Sequence, residues 1–185
     1  AGHNVPMAIL GAFLLVVGWL GLNAAAALGF SGALRGLTLQ AIVNTLLAIS
    51  AGALSAMFYM TIISRLRRPD PVMTVKGLMG GAVAISACGA LVAPWAAVVI
   101  GLLAGIFVCA AAVALDRLKI DDAVGAIPVH LVGGGWGLLA VGIFANGNPA
   151  SANWNGVATA VSGLLAANGG VSQLLVQLLS LVVIF

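Results

Sequence analysis

Residues 121–137 read Asp-Asp-Ala-Val-Gly-Ala-Ile-Pro-Val-His-Leu-Val-Gly-Gly-Gly-Trp-Gly. Two adjacent carboxylates open a long apolar segment, and one histidine, His130, lies inside it. A helix starting near Asp122 puts His130 eight residues in, about 12 Å along the axis at 1.5 Å per residue. That is well inside a hydrocarbon core roughly 30 Å thick. An ionisable group at such depth is costly and by default marks a pathway or a site. The plainer alternative is a neutral imidazole hydrogen-bonded between packed helices. The neighbours favour a site. Pro128 lacks a backbone donor and would free the carbonyl of Val124, while Gly133, Gly134, Gly135 and Gly137 leave room beside the helix.

The rest of the chain has the same character. It is 63% hydrophobic and 6% charged, with 25 glycines and a mean hydropathy of +1.22. A soluble domain carries about 25% charged residues, so the composition calls for an all-α, polytopic bundle in a lipid bilayer. The net charge of +3 then bears on topology and gives no reason to expect a nucleic-acid partner. Cys88 and Cys109 sit in apolar runs without metal-ligand neighbours and read as small buried hydrophobes, with no disulfide and no metal expected. No nucleophile–base pair or phosphate-cradling loop suggests an enzyme or a cofactor. The glycines at 133–135 lie inside an apolar span with no strand before them, which makes a poor nucleotide motif. The chain begins without a methionine and stops in Leu-Val-Val-Ile-Phe, as a piece of a longer protein would.

Taken outward from the histidine segment, the apolar runs place spans at about Pro6–Leu28, Leu37–Ile63, Val72–Leu91, Pro94–Leu115 and Ala123–Ala145. A truncated sixth helix starts near Val171, and residues 146–158 read as loop. Arg65, Arg67 and Arg68 put the second link in the cytoplasm, and Arg117 with Lys119 put the fourth there. Arg35 alone lies opposite. The histidine helix thus runs from cytoplasm to exterior, with Trp95 and Trp154 at the outer interface.

On the first span, Leu15, Trp19, Leu22 and Ala26 recur at spacings of four, three and four, forming one stripe. Such a stripe is either a packing face or the wall of a pore. Ser86 is the polar residue nearest mid-depth on the third span, and a hydroxyl there commonly bonds back to its own helix. Asn44 and Thr45 are polar for their depth, as interhelical hydrogen bonding requires. His3 reads as a solvated loop residue.

Several of these stretches resemble the ammonium transporter (Amt/Rh) family. They are His-Asn-Val-Pro at 3–6, Gly-Trp-Leu-Gly-Leu-Asn-Ala at 18–24, Val-Asn-Thr at 43–45, Asp-Asp with Val-His and the glycine run at 121–135, and Gln-Leu-Leu-Val-Gln at 173–177. The resemblance covers the whole chain. It implies the sixth to tenth transmembrane helices, one five-helix inverted repeat, plus the start of an eleventh. It also implies a homotrimer in the cell membrane, the inner membrane in a bacterium, whose subunits each carry a narrow apolar pore. In that family ammonium is recruited at an outer vestibule, loses its proton and passes two hydrogen-bonded histidines, one per repeat. His130 matches the second of these, and the first belongs to an N-terminal repeat that this chain lacks. Leu15 and Trp19 match pore-side positions, Ser86 a hydroxyl near the outer site, and Ala126 joins the path on the histidine segment. Asp122 matches an acidic residue at the start of the histidine helix, with a structural role that the helix dipole favours.

Two positions depart from the family pattern. Leu22 stands where a second aromatic gates the pore, and Ala26 where a serine helps bind the external cation. Both changes remove groups that would hold NH4+, a cation–π face and a hydroxyl. The resemblance as a whole implies an ammonium or ammonia transporter or channel that conducts through an apolar pore with a buried histidine. A receptor without flux and a channel for another small neutral solute are the alternatives.

Overall fold

The computed structural model describes residues 4–27, 35–63, 68–152 and 159–184. Six α-helices follow one another: α1 (Val5–Ala26), α2 (Arg35–Ile63), α3 (Pro71–Ser86), α4 (Pro94–Leu118), α5 (Gly133–Phe144) and α6 (Val171–Ile184). A π-helical turn, Ile127–Val132, runs directly into α5, and a 3-10 turn spans Pro149–Ser151. Among the described residues the only β pairing is two isolated bridges, Val92 with Ala145 and Asn146 with Ser162. His3, Arg65, Arg67 and Trp154 lie outside the described residues.

Prolines start the helices. Pro6, Pro71 and Pro94 occupy first turns, where a missing N–H costs nothing. Asn4 caps α1 by accepting the Met7 N–H at 3.1 Å. Asp70 caps α3 by accepting those of Val72 and Met73 at 2.8 and 3.1 Å. Four helical stretches among the described residues are long and apolar enough to cross a membrane: α1, α2, α4 and the continuous run Ile127–Phe144.

The core is a slab of three helices, with α2 laid against α3 and α4 and those two against each other. Glycine permits it. A Cβ at Gly77 would sit 2.7 Å from the Gly52 carbonyl oxygen, and those at Gly101 and Gly105 would run into the backbone of Ala48 and Gly52. Small residues at these crossings let backbones touch, the packing that membrane helices use in place of hydrophobic burial. Buried Ala48, Ile85, Ile100, Ala104 and Ala140 fill the remaining space.

α3 stops five residues earlier than the apolar run suggests, at Ser86 and not Leu91. The carbonyls freed in the turn that follows are met from α2. Asn44 Nδ2 donates to Gly89 O and Val92 O, both at 2.8 Å, and Gln40 Nε2 donates to Val92 O at 2.6 Å. A chain can leave the helix inside an apolar run when another helix satisfies the carbonyls of the turn that follows. At the same end, Val92 bridges to Ala145, and Asn146 N–H donates to Leu91 O at 2.9 Å.

The opposite end gathers charge. Tyr59 and Ile63 at the end of α2 face Arg117 and Leu118 at the end of α4 across a shallow groove. Lys119 closes α4 in the left-handed conformation.

Candidate functional site

The segment before the histidine is not helical from Asp122. Residues 121–125 form a turn, and the helix begins at Ala126. The Asp122 carboxylate accepts the N–H groups of Ala126 and Ile127, both at 2.9 Å, which anchors this start. An anionic side chain there also suits the positive end of the helix. Gly125 supplies the left-handed φ of 75° that turns the chain into the helix.

Two expectations change as a result. His130 lies about 6 Å along the helix axis from Ala126, half the distance that a start near Asp122 would give. Pro128 falls in the first turn, where no donor is needed, so it starts the helix and does not interrupt it. Irregularity takes another form. The Gly133 N–H reaches back to the Pro128 carbonyl, five residues earlier, and His130 sits within this π-helical turn. Such turns are rare and frequent at functional sites.

The His130 side chain is exposed in this chain, where the depth argument expected burial. It lines a groove of about 300 Å³ with Ala8, Leu15, Lys76, Val124 and Val129. Leu15 and His130, far apart in sequence, thus line one groove. A larger hollow of about 580 Å³ lies between α1, α2 and α3, with no ionisable side chain in its lining. Of these two, the smaller groove carries the ionisable side chains.

Trp19 and Ser86 form a second pairing. The Trp19 indole N–H donates to Ser86 Oγ at 2.8 Å, and the Ser86 hydroxyl donates to Ala82 O at 2.8 Å. Ser86 bonds back to its own helix while also tying α3 to α1. Deeper in the interface, Asn23 Nδ2 donates to Thr45 Oγ1 at 2.9 Å. Leu22 and Ala26 lie about one and two turns beyond Trp19 on α1, both exposed. Ala126 is exposed at the helix start, outside the groove lining. Of the stripe, Leu15, Leu22 and Ala26 are exposed, Leu15 by 52% and Leu22 by 57%, while Trp19 is half-buried against Ser86.

Among the described residues no group of three His, Cys, Asp or Glu side chains could hold a metal ion. Cys88 and Cys109 are free and buried. Lys76 and Val124 were not singled out from sequence as groove residues. The signal for Lys76 was there, a cation in a glycine- and alanine-rich apolar helix.

Apolar helices of membrane length and close glycine crossings define a polytopic membrane helical bundle. The chain matches the Ammonium Transporter Family over residues 1–185, and it belongs to that family. Ammonium transporter Amt2 of Archaeoglobus fulgidus is 42% identical over 186 residues, covering all of this chain and 37% of the relative. Two solved structures superpose closely. One is titled Sensor Amt Protein, with TM-score 0.79, 34% identity and coverage of 98% of this chain and 40% of that one. The other is Saccharomyces cerevisiae Mep2, with TM-score 0.80, 27% identity and coverage of 98% and 41%. The chain spans about two fifths of the length of these relatives.

Proposed function

We propose that this chain is the second repeat of an ammonium transporter, its sixth to tenth helices and the start of an eleventh, and that it supplies one wall of a pore for ammonia. The observation that carries the reading is the open groove lined by both His130 and Leu15. A groove becomes a pore when a second wall closes it, and an N-terminal repeat with its own histidine is that wall. The whole protein is a homotrimer of the cell membrane, the inner membrane in a bacterium, with ammonium as its substrate.

The chemistry suits such a path. A charge at mid-membrane costs several kcal/mol at least, while neutral ammonia costs far less. An imidazole offers a donor and an acceptor nitrogen and titrates near neutral pH, so it relays a proton without a large energy step. His130 is the hydrogen-bonding and relay group of the pore, Trp19 and Ser86 shape its outer part, and Asp122 holds the start of the histidine helix. In the full-length protein, His130→Ala is expected to abolish or alter coupled ammonium flux while folding is retained. Wild-type current and selectivity in that variant would reduce His130 to packing.

A second reading has its own support. The likeness to a protein titled a sensor spans 98% of the chain, and Leu22 and Ala26 replace groups that would grip the external cation. A receptor that binds ammonium without flux fits both. Ammonium binding with no flux in reconstituted vesicles selects the receptor. Flux of other small neutral solutes with no preference for ammonia selects a general channel.

A further inference from the structure

We infer that Lys76 is a specificity-determining residue of the His130 path, a fixed positive charge that bars cations at the end of the groove next to the Asp121–Gly125 turn. The inference rests on the reading of that groove as a route through the membrane.

Lys76 is the sixth residue of α3, about 8 Å along its axis. Helical side chains lean toward their own N-terminus, so the amine is carried back toward the start of α3. There it meets the turn that opens the histidine helix. A Cβ at Gly125 would lie 2.9 Å from Lys76 Cε and 3.4 Å from Nζ. The left-handed glycine and the lysine tail thus occupy adjoining space, and any larger residue at 125 would push the amine away. Lys76 and His130 are the two ionisable residues lining the groove.

Asp70 accepts the N–H groups of Val72 and Met73, and Asp122 those of Ala126 and Ile127. Both keep their charge, and neither forms an ion pair with Lys76. Lys76 makes no hydrogen bond or ion pair with another described residue. Its charge is therefore uncompensated by a direct partner. Two like unit charges a few ångströms apart repel strongly when the surroundings are less polar than water. A cation moving along the His130 wall meets that repulsion, and neutral ammonia does not. The competing account is that Lys76 only snorkels to the lipid headgroups, its stem covering apolar surface. Under that account its charge has no effect on what passes.

The test uses the full-length protein in liposomes with two readouts. One is luminal alkalinisation after an ammonium jump, which follows neutral ammonia. The other is the current evoked by ammonium and by potassium pulses, which follows cations. Lys76→Met and Lys76→Gln are expected to raise the evoked current about tenfold or more, a modest effect for removal of a unit charge at such range. Lys76→Arg, which keeps the charge, is expected to hold the current low. Two neutral variants guard against one failing to fold. Unchanged currents in the neutral variants, or a current in Lys76→Arg as high as theirs, would overturn the inference. Alkalinisation judges the other reading separately. A wild-type protein no more permeable to ammonia than empty liposomes defeats the conduction reading, while a current rise in Lys76→Met still establishes the cation barrier.

Discussion

The slab α2–α3–α4 and the helix α1 are both built from apolar sequence, yet the chain treats them differently. Of the most apolar window of α1, 6% is buried within the chain, against 39% for α2 and for α4. The slab closes on itself through glycine contacts so tight that backbones touch. On α1, Gly11, Gly18 and Gly21 have nothing within 4 Å of where a Cβ would be, and Met7, Phe13, Leu14 and Val17 stand exposed. Lipid can cover apolar side chains, but the α1 face that carries Ala8 and Leu15 also borders the His130 groove. One region is finished by its own chain, and the other leaves an apolar face and a groove open.

The strongest way to break this contrast is to ask whether the chain suffices. Residues 1–185 expressed alone, in a strain without its own ammonium transporters, are expected to give no growth on limiting ammonium. Restored growth would mean that the open groove already conducts. Glycine substitutions test the contrast directly. In the full-length protein, Gly101→Leu is expected to lower stability by about 3 kcal/mol, because the side chain must displace the Ala48 backbone. Gly18→Leu should stay within about 0.5 kcal/mol, as for substitution on an open surface. Thermal unfolding in detergent reads both. An equal penalty at Gly18 would sharpen the comparison by showing that the missing wall packs on α1 as closely as the slab packs on itself.

Asn44 offers a smaller effect inside the slab. Asn44→Ala removes the donor to the Gly89 carbonyl and one of two donors to Val92 O. A buried acceptor left unsatisfied costs about 1–3 kcal/mol, so a loss near 2 kcal/mol is expected in the same assay. The mildest change concerns the far end of the α1 stripe. Leu22→Phe with Ala26→Ser adds a cation–π face and a hydroxyl, worth together about 1.4 kcal/mol or a tenfold lower half-saturation concentration for ammonium. The maximal rate should stay level or fall, since the ring narrows the passage. An unchanged half-saturation would place Leu22 and Ala26 outside the entry and make the stripe a packing face.

Much of the fold was legible because its signals are local. Apolar runs of membrane length act within a few residues of themselves, so composition and spacing suffice to place α1, α2, α4 and α6. The family resemblance was legible for the same reason, carried by short stretches such as Val-Asn-Thr at 43–45 and Val-His before the glycine run. His130 stood out because an ionisable group in an apolar run is conspicuous by chemistry alone.

What escaped the sequence depended on partners far along the chain. α3 ends at Ser86 because Asn44 and Gln40, on another helix, satisfy the carbonyls that follow. Pro128 starts a helix and does not break one, because the Asp122 carboxylate and the left-handed Gly125 delay the first helical turn to Ala126. Trp19 and Ser86 had each been singled out, yet their 2.8 Å hydrogen bond exists only because α1 crosses α3 at that height. Lys76 was a stray cation in an apolar helix until the turn at Gly125 brought it beside the histidine path. Hydropathy and spacing act along one strand of sequence and so determined which segments are helices in a membrane. Which polar groups meet is decided by the angle and height at which those helices cross, and glycine contacts between distant segments set both.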